Sequence, residues 1–341
     1  VSAPASDDQA SAGPWRHGGR IDWARRAYPH APQPWIDLST GVNPSPWPGR
    51  RAGRAELARL PDPSAVAALE AVAAAAFGAE AAAVAASPGA EAALRLLPSL
   101  LQARSAAIVG PTYGGHAEAW RAAGASVRQI TLDQATDVDA EVVVLVNPNN
   151  PDGAQTPRAR VLEIADRLAA RNAWLVVDES FVEVAPRLSV ADRAGGRLVA
   201  LRSFGKFYGL PGARLGFVIG DPEFLARLRA RLGDWPLSAD AIALGLGAYA
   251  DSRLVGRTRA RLASWSRRLD RALGAGGFEV VGGTDLFRLT RTPDADRRFA
   301  RLAERGVLTR PFAYDRQLIR FGLPRPSDWP RLTAALEDLS P

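Results

Sequence analysis

The chain contains no cysteine, which excludes disulfides, thiolate metal sites and cysteine nucleophiles. Only three histidines occur, His17, His30 and His116, too scattered in sequence to suggest a ligand cluster, so no metal is expected. No apolar run approaches the length of a membrane-spanning helix, and the N-terminal VSAPASDDQASAGPW lacks a basic-then-apolar leader pattern. A cytoplasmic protein without a membrane partner is expected. The scarcest functional side chain is lysine. Of 43 basic residues one is a lysine, Lys206, and the other 42 are arginines.

That imbalance is chemically informative. Abundant alanine and arginine suggest a compositional drift that replaced lysine wherever arginine would serve. A guanidinium stays protonated and forms no ordinary imine with an aldehyde, whereas an amine does. A surviving lysine is therefore either a chance ion-pair member or a group whose amine is needed. The net charge of +7 does not point to nucleic acid, because the arginines are interleaved with acids along helices rather than gathered into one basic stretch.

The 341 residues suffice for one large domain and a smaller companion. Residues 1–15 are small, polar and aperiodic and read as a flexible tail. Residues 16–50, rich in Gly, Pro and Trp, read as an irregular arm with a short strand at 35–38 that joins the smaller domain. Residues 51–250 alternate apolar β-branched segments (106–109, 125–132, 142–146, 174–177, 198–201, 215–219) with helical stretches (64–77, 90–101, 158–171), the pattern of a largely parallel sheet covered on both sides. The helical runs 222–232, 239–249 and 252–273 follow. Residues 251–341 read as an α+β unit, with strands near 278–281, 286–290, 307–309 and 318–321.

Several short motifs sit at strand ends, where open parallel sheets bind ligands. Ser87-Pro88-Gly89-Ala90-Glu91 opens a helix whose N-terminus suits a phosphate, as do many helix starts. Pro111-Thr112-Tyr113 puts an aromatic ring where a planar heterocycle could stack, or where a core tyrosine could pack. Asn147-Pro148-Asn149-Asn150-Pro151-Asp152-Gly153 holds more Asn and Pro than a turn requires. Asp178-Glu179-Ser180-Phe181 offers a carboxylate for a protonated pyridine nitrogen, or a cap. Lys206 falls in Ser203-Phe204-Gly205-Lys206 with Arg214 eight residues on. There it can bond a cofactor aldehyde while Ser203 and Arg214 hold the cofactor's phosphate.

These motifs, in this order and approximate spacing, resemble the fold-type-I pyridoxal-phosphate (PLP) enzymes, the class I and II aminotransferases, from about His17 to the C-terminus. The resemblance implies an α/β fold with a large domain built on a mainly parallel central sheet and a small α+β domain. It also implies PLP as cofactor and a homodimer. Lys206 would carry PLP, Asp178 would pair with the pyridine nitrogen, Asn150 would bond the ring hydroxyl and Tyr113 would stack on the ring. Gly89, Ala90, Ser203 and Arg214 would surround the phosphate.

Within that group, His17-Gly18-Gly19 and the segment Ser39-Thr40-Gly41-Val42-Asn43-Pro44 look like the L-threonine-O-3-phosphate decarboxylases of cobalamin biosynthesis, with histidinol-phosphate aminotransferases as the nearest alternative. A phosphorylated amino acid is then the expected substrate, met by His17, Gly18, Gly41, Arg320 and Arg310. Each arginine has a plain reading as a salt-bridge partner. A non-catalytic PLP-binding protein is a further alternative. Two departures stand out: Phe181 where many relatives have a tyrosine that donates to the ring hydroxyl, and Leu60, in Arg59-Leu60-Pro61, where many have a tyrosine that reaches the neighbouring subunit's cofactor.

Overall fold

A computed structural model describes residues 17–339; the expected tail at 1–15 lies outside them. The first strand is β1 (Ile36–Asp37). Seven follow in the middle of the chain: β2 (Val84–Ser87), β3 (Ser105–Val109), β4 (Ser126–Ile130), β5 (Val142–Val146), β6 (Trp174–Asp178), β7 (Leu198–Ser203) and β8 (Gly216–Ile219). The last five are β9 (Glu279–Thr284), β10 (Phe287–Arg291), β11 (Val307–Leu308), β12 (Arg310–Pro311) and β13 (Leu318–Gly322).

The chain divides into two compact units, one of residues 46–150 and 154–257, the other of residues 17–45, 151–153 and 258–339 among those described. In the larger unit β2 to β8 form one sheet in the order β2-β8-β7-β6-β5-β3-β4. β4, β3, β5, β6 and β7 are mutually parallel, and β8 runs antiparallel between β7 and β2. The mainly parallel α/β sheet expected from the sequence is therefore present. Its strands are unbroken apolar runs because both faces are covered: every residue of β5, Val-Val-Val-Leu-Val, is buried.

Alternation along the pleat sorts these side chains into two cores. Val142, Val144, Val176, Val199 and Leu201 meet Leu94, Leu97, Trp120 and Phe224 on one face. Val143, Leu145, Leu175, Val177 and Leu198 meet Val161, Ile164 and Leu168 on the other. Each fully buried Val or Leu contributes about 1.5–3 kcal/mol relative to exposure, so the sheet is fixed from both sides. The covering helices have clear start and stop signals. Asp62 accepts from Ser64 N ahead of the helix Pro63–Phe77, proline occupies the first turn, and Gly78 ends the helix with φ 72°.

In the smaller unit β12-β13-β10-β9 form an antiparallel sheet, and β1 pairs in parallel with β11. Arg310 on β12 lies directly opposite Arg320 on β13. Phe299 and Leu302 from the helix Ala295–Glu304, and Leu332 and Leu336 from Trp329–Glu337, are buried. Among the described residues no helix is long and apolar enough to cross a membrane.

Three elements differ from the sequence expectation. The arm is not irregular throughout: Ile21–Ala27 is a helix, with Asp22 in its first turn and Arg25 and Arg26 in its last, as the helix dipole favours. Val84–Ser87 is a strand, hidden in the sequence by surrounding alanines and formed by tertiary pairing with β8 rather than by propensity. Gly114–Ala122 is a helix despite opening on two glycines, with His116, Ala119 and Trp120 buried beneath it.

Candidate active site

The sheet topology brings the strand-end motifs of the larger unit to one edge. The parallel strands β3, β5, β6 and β7 end there in Pro111–Tyr113, the Asn147–Asn150 turn, Asp178 and Ser203–Lys206. Because β8 is antiparallel to both neighbours, β2 also ends there, and Gly216 at the start of β8 lies opposite Ser87 on one side and Ser203 on the other. Gly89, Ala90, Tyr113, Asn150, Asp178, Ser203, Lys206 and Arg214 therefore share that edge.

Part of the edge is shaped as an anion cradle. Gly89 adopts φ 92°, a conformation only glycine takes without strain, and a Cβ there would come 2.7 Å from an Arg214 guanidinium nitrogen. A Cβ on Gly216 would lie 2.3 Å from Ala90 N. The helix Ala90–Leu101 has no side-chain cap, so its first turn presents backbone donors and a positive dipole end toward this corner. Arg214 is exposed and donates to Pro211 O at 3.1 Å.

The middle of the edge is acidic and aromatic. Asp178 is buried; its Oδ1 accepts Ser180 N at 2.9 Å and its Oδ2 lies 2.9 Å from His116 Nε2. Burial opposes the charge of Asp178, but the bonds from His116 and Ser180 outweigh it and hold the carboxyl below its ordinary value of 3.8. The ring of Tyr113 stands edge-on to His116, centroids 6.1 Å apart, and its hydroxyl donates to Glu91 at 3.1 Å. Burial, then Glu91, pushes the phenol above its usual range, so Tyr113 stays neutral.

Asn150 is buried at the end of a turn braced by its neighbours. Asn147 bonds Thr156 in both directions, and Asn149 accepts from Thr112 at 2.6 Å while donating to Pro111 O at 3.0 Å. Lys206 rides on the short helix Phe204–Phe207, pinned by the buried rings of Phe204 and Phe207. Its Nζ lies 5.6 Å from the centroid of Phe181, three residues beyond Asp178.

His116 joins the site only through the fold. Its one signal in the sequence is its place one helical turn after Tyr113, in a helix whose two opening glycines disguise it. Through Nε2 it sets both the orientation and the charge of Asp178.

The remaining candidates belong to the smaller unit. Arg320 is buried and donates to Ser39 O at 2.8 Å. Burial, then the neighbouring Arg310, lowers its pKa well below the ordinary arginine value, with Asp37 and Tyr314 partly offsetting them. The Ser39 hydroxyl donates to Asp37 at 2.5 Å and accepts Gly19 N at 2.7 Å. A Cβ on Gly18 would strike Ser39 O at 2.2 Å, and one on Gly322 would strike Thr40 O at the same distance. The His17-Gly18-Gly19 segment, the loop holding Gly41, and Arg320 are thus assembled on one another, with Arg310 across the sheet.

The model of the aminotransferase class I and II family matches residues 34–338. The chain belongs to that family. It is 39 % identical to a threonine-phosphate decarboxylase from a Sinorhizobium species over 313 residues, covering 90 % of this chain and 92 % of that protein. It is 38 % identical to a threonine-phosphate decarboxylase from Pseudomonas aeruginosa, covering 94 % and 96 %. Among solved structures, a histidinol-phosphate aminotransferase from Sinorhizobium meliloti in complex with pyridoxal-5'-phosphate superposes with a TM-score of 0.79 at 21 % identity, covering 93 % of this chain and 94 % of that one. That last likeness speaks for the fold.

The likeness agrees with the α/β fold and mainly parallel central sheet described above. The donor set suits PLP: one amine for an aldehyde, a buried ionised carboxylate for a pyridinium, an aromatic face, and the cradle of Gly89, Ala90, Ser203 and Arg214 for a phosphate.

Proposed function

We propose that this protein binds pyridoxal 5'-phosphate and decarboxylates L-threonine O-3-phosphate to (R)-1-aminopropan-2-yl phosphate, a step of cobalamin biosynthesis. The observation that carries this reading is the identity of 38–39 % with two threonine-phosphate decarboxylases over 90 % or more of each chain. The paired arginines of the smaller unit agree with it, because the substrate carries two anionic groups.

Bound at Lys206, the cofactor supplies an electron sink for the charge left on Cα when the carboxylate departs. Asp178, ionised and oriented by His116, would keep the pyridine nitrogen protonated. Tyr113 would cover one ring face, Asn150 would donate to the ring hydroxyl, and Gly89, Ala90, Ser203 and Arg214 would hold the phosphate. Phe181 contributes no hydroxyl, so Asn150 bears more of that contact.

Arg320, Arg310, His17, Gly18 and Gly41 receive the substrate's carboxylate and phosphate. An arriving anion would relieve the repulsion between the two guanidiniums, and that binding energy would be available to orient the substrate so that its carboxylate, rather than a proton, is the group lost from Cα. With carbon dioxide lost in place of a proton, Lys206, its amine freed once the substrate's amine has taken its place, would donate one proton to Cα and leave the amino group on the product.

We further propose a cytoplasmic homodimer, for which the exposed Leu57, Leu60 and Trp235 supply apolar surface to cover. With Leu60 in place of the tyrosine, the neighbouring subunit makes no phenolic contact to the cofactor phosphate from this position.

The decisive experiment feeds threonine phosphate to the holoenzyme and follows gas against cofactor state. Catalytic release of carbon dioxide with the cofactor unchanged over many turnovers is expected. Stoichiometric conversion of the cofactor to its amine form without gas would assign an aminotransferase of the histidinol-phosphate type instead.

A further inference from the structure

Behind the cofactor edge lies a buried ionic cluster that the chemistry above does not use. Arg202, on β7 immediately before Ser203, places Nε 2.9 Å from Glu179, one Nη 3.0 Å from Glu183 and the other 2.9 Å from Ser189 Oγ. Glu179 immediately follows Asp178. Its two oxygens accept Val190 N at 2.6 Å and Ser189 Oγ at 2.9 Å, and its own backbone N–H donates to Leu201 O at 2.9 Å. All three charged residues are 5 % exposed or less, and the Arg202 guanidinium lies 4.6 Å from the Phe77 ring centroid.

The pleat explains why these charges matter to the site. Asp178 lies opposite Leu201, so Asp178 and Ser203 project from the same face of the sheet, the face of Val176 and Val199. Glu179 and Arg202, one residue out of phase, project from the other. Cofactor-facing and cluster-forming residues are thus covalent neighbours on two adjacent strand ends, and a clamp between the second pair fixes the spacing of the first.

Stability alone gives a poor account of the cluster. Taking a guanidinium and two carboxylates out of water is unfavourable, and a well-packed apolar set is often as stable. What an apolar set lacks is direction: a guanidinium hydrogen-bonded to Glu183 and Ser189 and ion-paired with Glu179 holds two strand ends and the 183–190 loop in one geometry.

We propose that Arg202, clamped by Glu179 and Glu183, is a positioning residue that sets the separation of Asp178 and Ser203, and with it the fit of the cofactor's ring nitrogen and phosphate. This rests on PLP binding but not on the choice of substrate.

The test measures PLP affinity, the visible absorption band of the bound cofactor and the melting temperature of the cofactor-free protein. Wild type is compared with Arg202→Met, Arg202→Lys, Glu183→Gln and the triple variant Glu179→Gln/Glu183→Gln/Arg202→Met. Groups that orient the direct ligands of a metal typically change its affinity about 10- to 100-fold, and a similar loss is expected for Arg202→Met, with a shifted band.

Arg202→Lys keeps the charge but not the fork and should lose less. The triple variant, freed of unpaired buried charge, should regain the melting temperature but not the affinity or the band. Recovery of all three together would overturn the proposal in favour of a merely structural role. If Arg202→Met does not fold, wild-type affinity and band in both Arg202→Lys and Glu183→Gln overturn it equally. Absence of the band in wild type would instead refute cofactor binding itself, a separate outcome.

Discussion

Asp178 and Arg320 are both buried ionisable groups, and their surroundings treat them in opposite ways. Around Asp178, His116 and Ser180 more than offset burial, so the carboxyl is more acidic than in water. Around Arg320, burial and Arg310 together prevail over Asp37 and Tyr314, so the guanidinium is less basic than in water. One charge is stabilised by the fold itself; the other is maintained against its environment. A carboxylate prepared in advance suits a resident cofactor, and a cation under electrostatic tension suits a transient anion that relieves it.

Lys206→Ala lies outside this contrast and should have the largest effect, removing turnover by about four orders of magnitude or more together with the bound cofactor's visible band. A purified mutant that keeps the band would unseat the assignment of the amine. Arg320→Leu tests the strained charge directly. It should lower kcat/KM for threonine phosphate by about 10²–10³-fold while leaving the melting temperature equal or higher, since an opposed buried charge is gone. A large loss of stability would mean that Arg320 is a structural ion-pair member and the contrast is false.

Asp178→Asn tests the other side and should reduce turnover about a hundredfold, with cofactor affinity falling as well. The sign of its pH dependence follows from the depressed pKa. In wild type the contribution of Asp178 is complete above its ordinary value of 3.8 and is lost only as the pH falls through the lower folded value. Cofactor retention measured by absorbance should therefore hold through mild acid. Loss beginning near pH 6 would implicate another group.

His116→Asn should have the smallest effect, roughly a tenfold reduction in turnover, with cofactor loss moved to higher pH because one of the bonds depressing Asp178 is weakened. An unchanged acid profile would show that His116 does not set that charge.

The strand-end motifs were legible in the sequence because each is contiguous and lies beside an apolar run that can only be a buried strand. Asn150, Asp178 and Lys206 needed no knowledge of pairing to be singled out. His116 and Arg202 are not legible for the opposite reason: their partners are 62 and 13–23 residues away in sequence, and their surroundings resemble ordinary helix and strand. The strand Val84–Ser87 was missed for a related cause, since alanine does not favour strands and only pairing with β8 makes it one. Side chains that face a ligand could be read from the sequence, whereas those that orient them required the fold.

The short helix that carries Lys206 is locked by two buried phenylalanines, and the chain has no second lysine. Apart from any terminal α-amine, the sequence therefore offers one primary amine, on a rigid half-turn. Borohydride would fix an aldehyde cofactor on that nitrogen by reducing its imine, whereas an activated ester would acylate the nitrogen only when it is free, so the two mass shifts in one peptide would report cofactor occupancy without engineering.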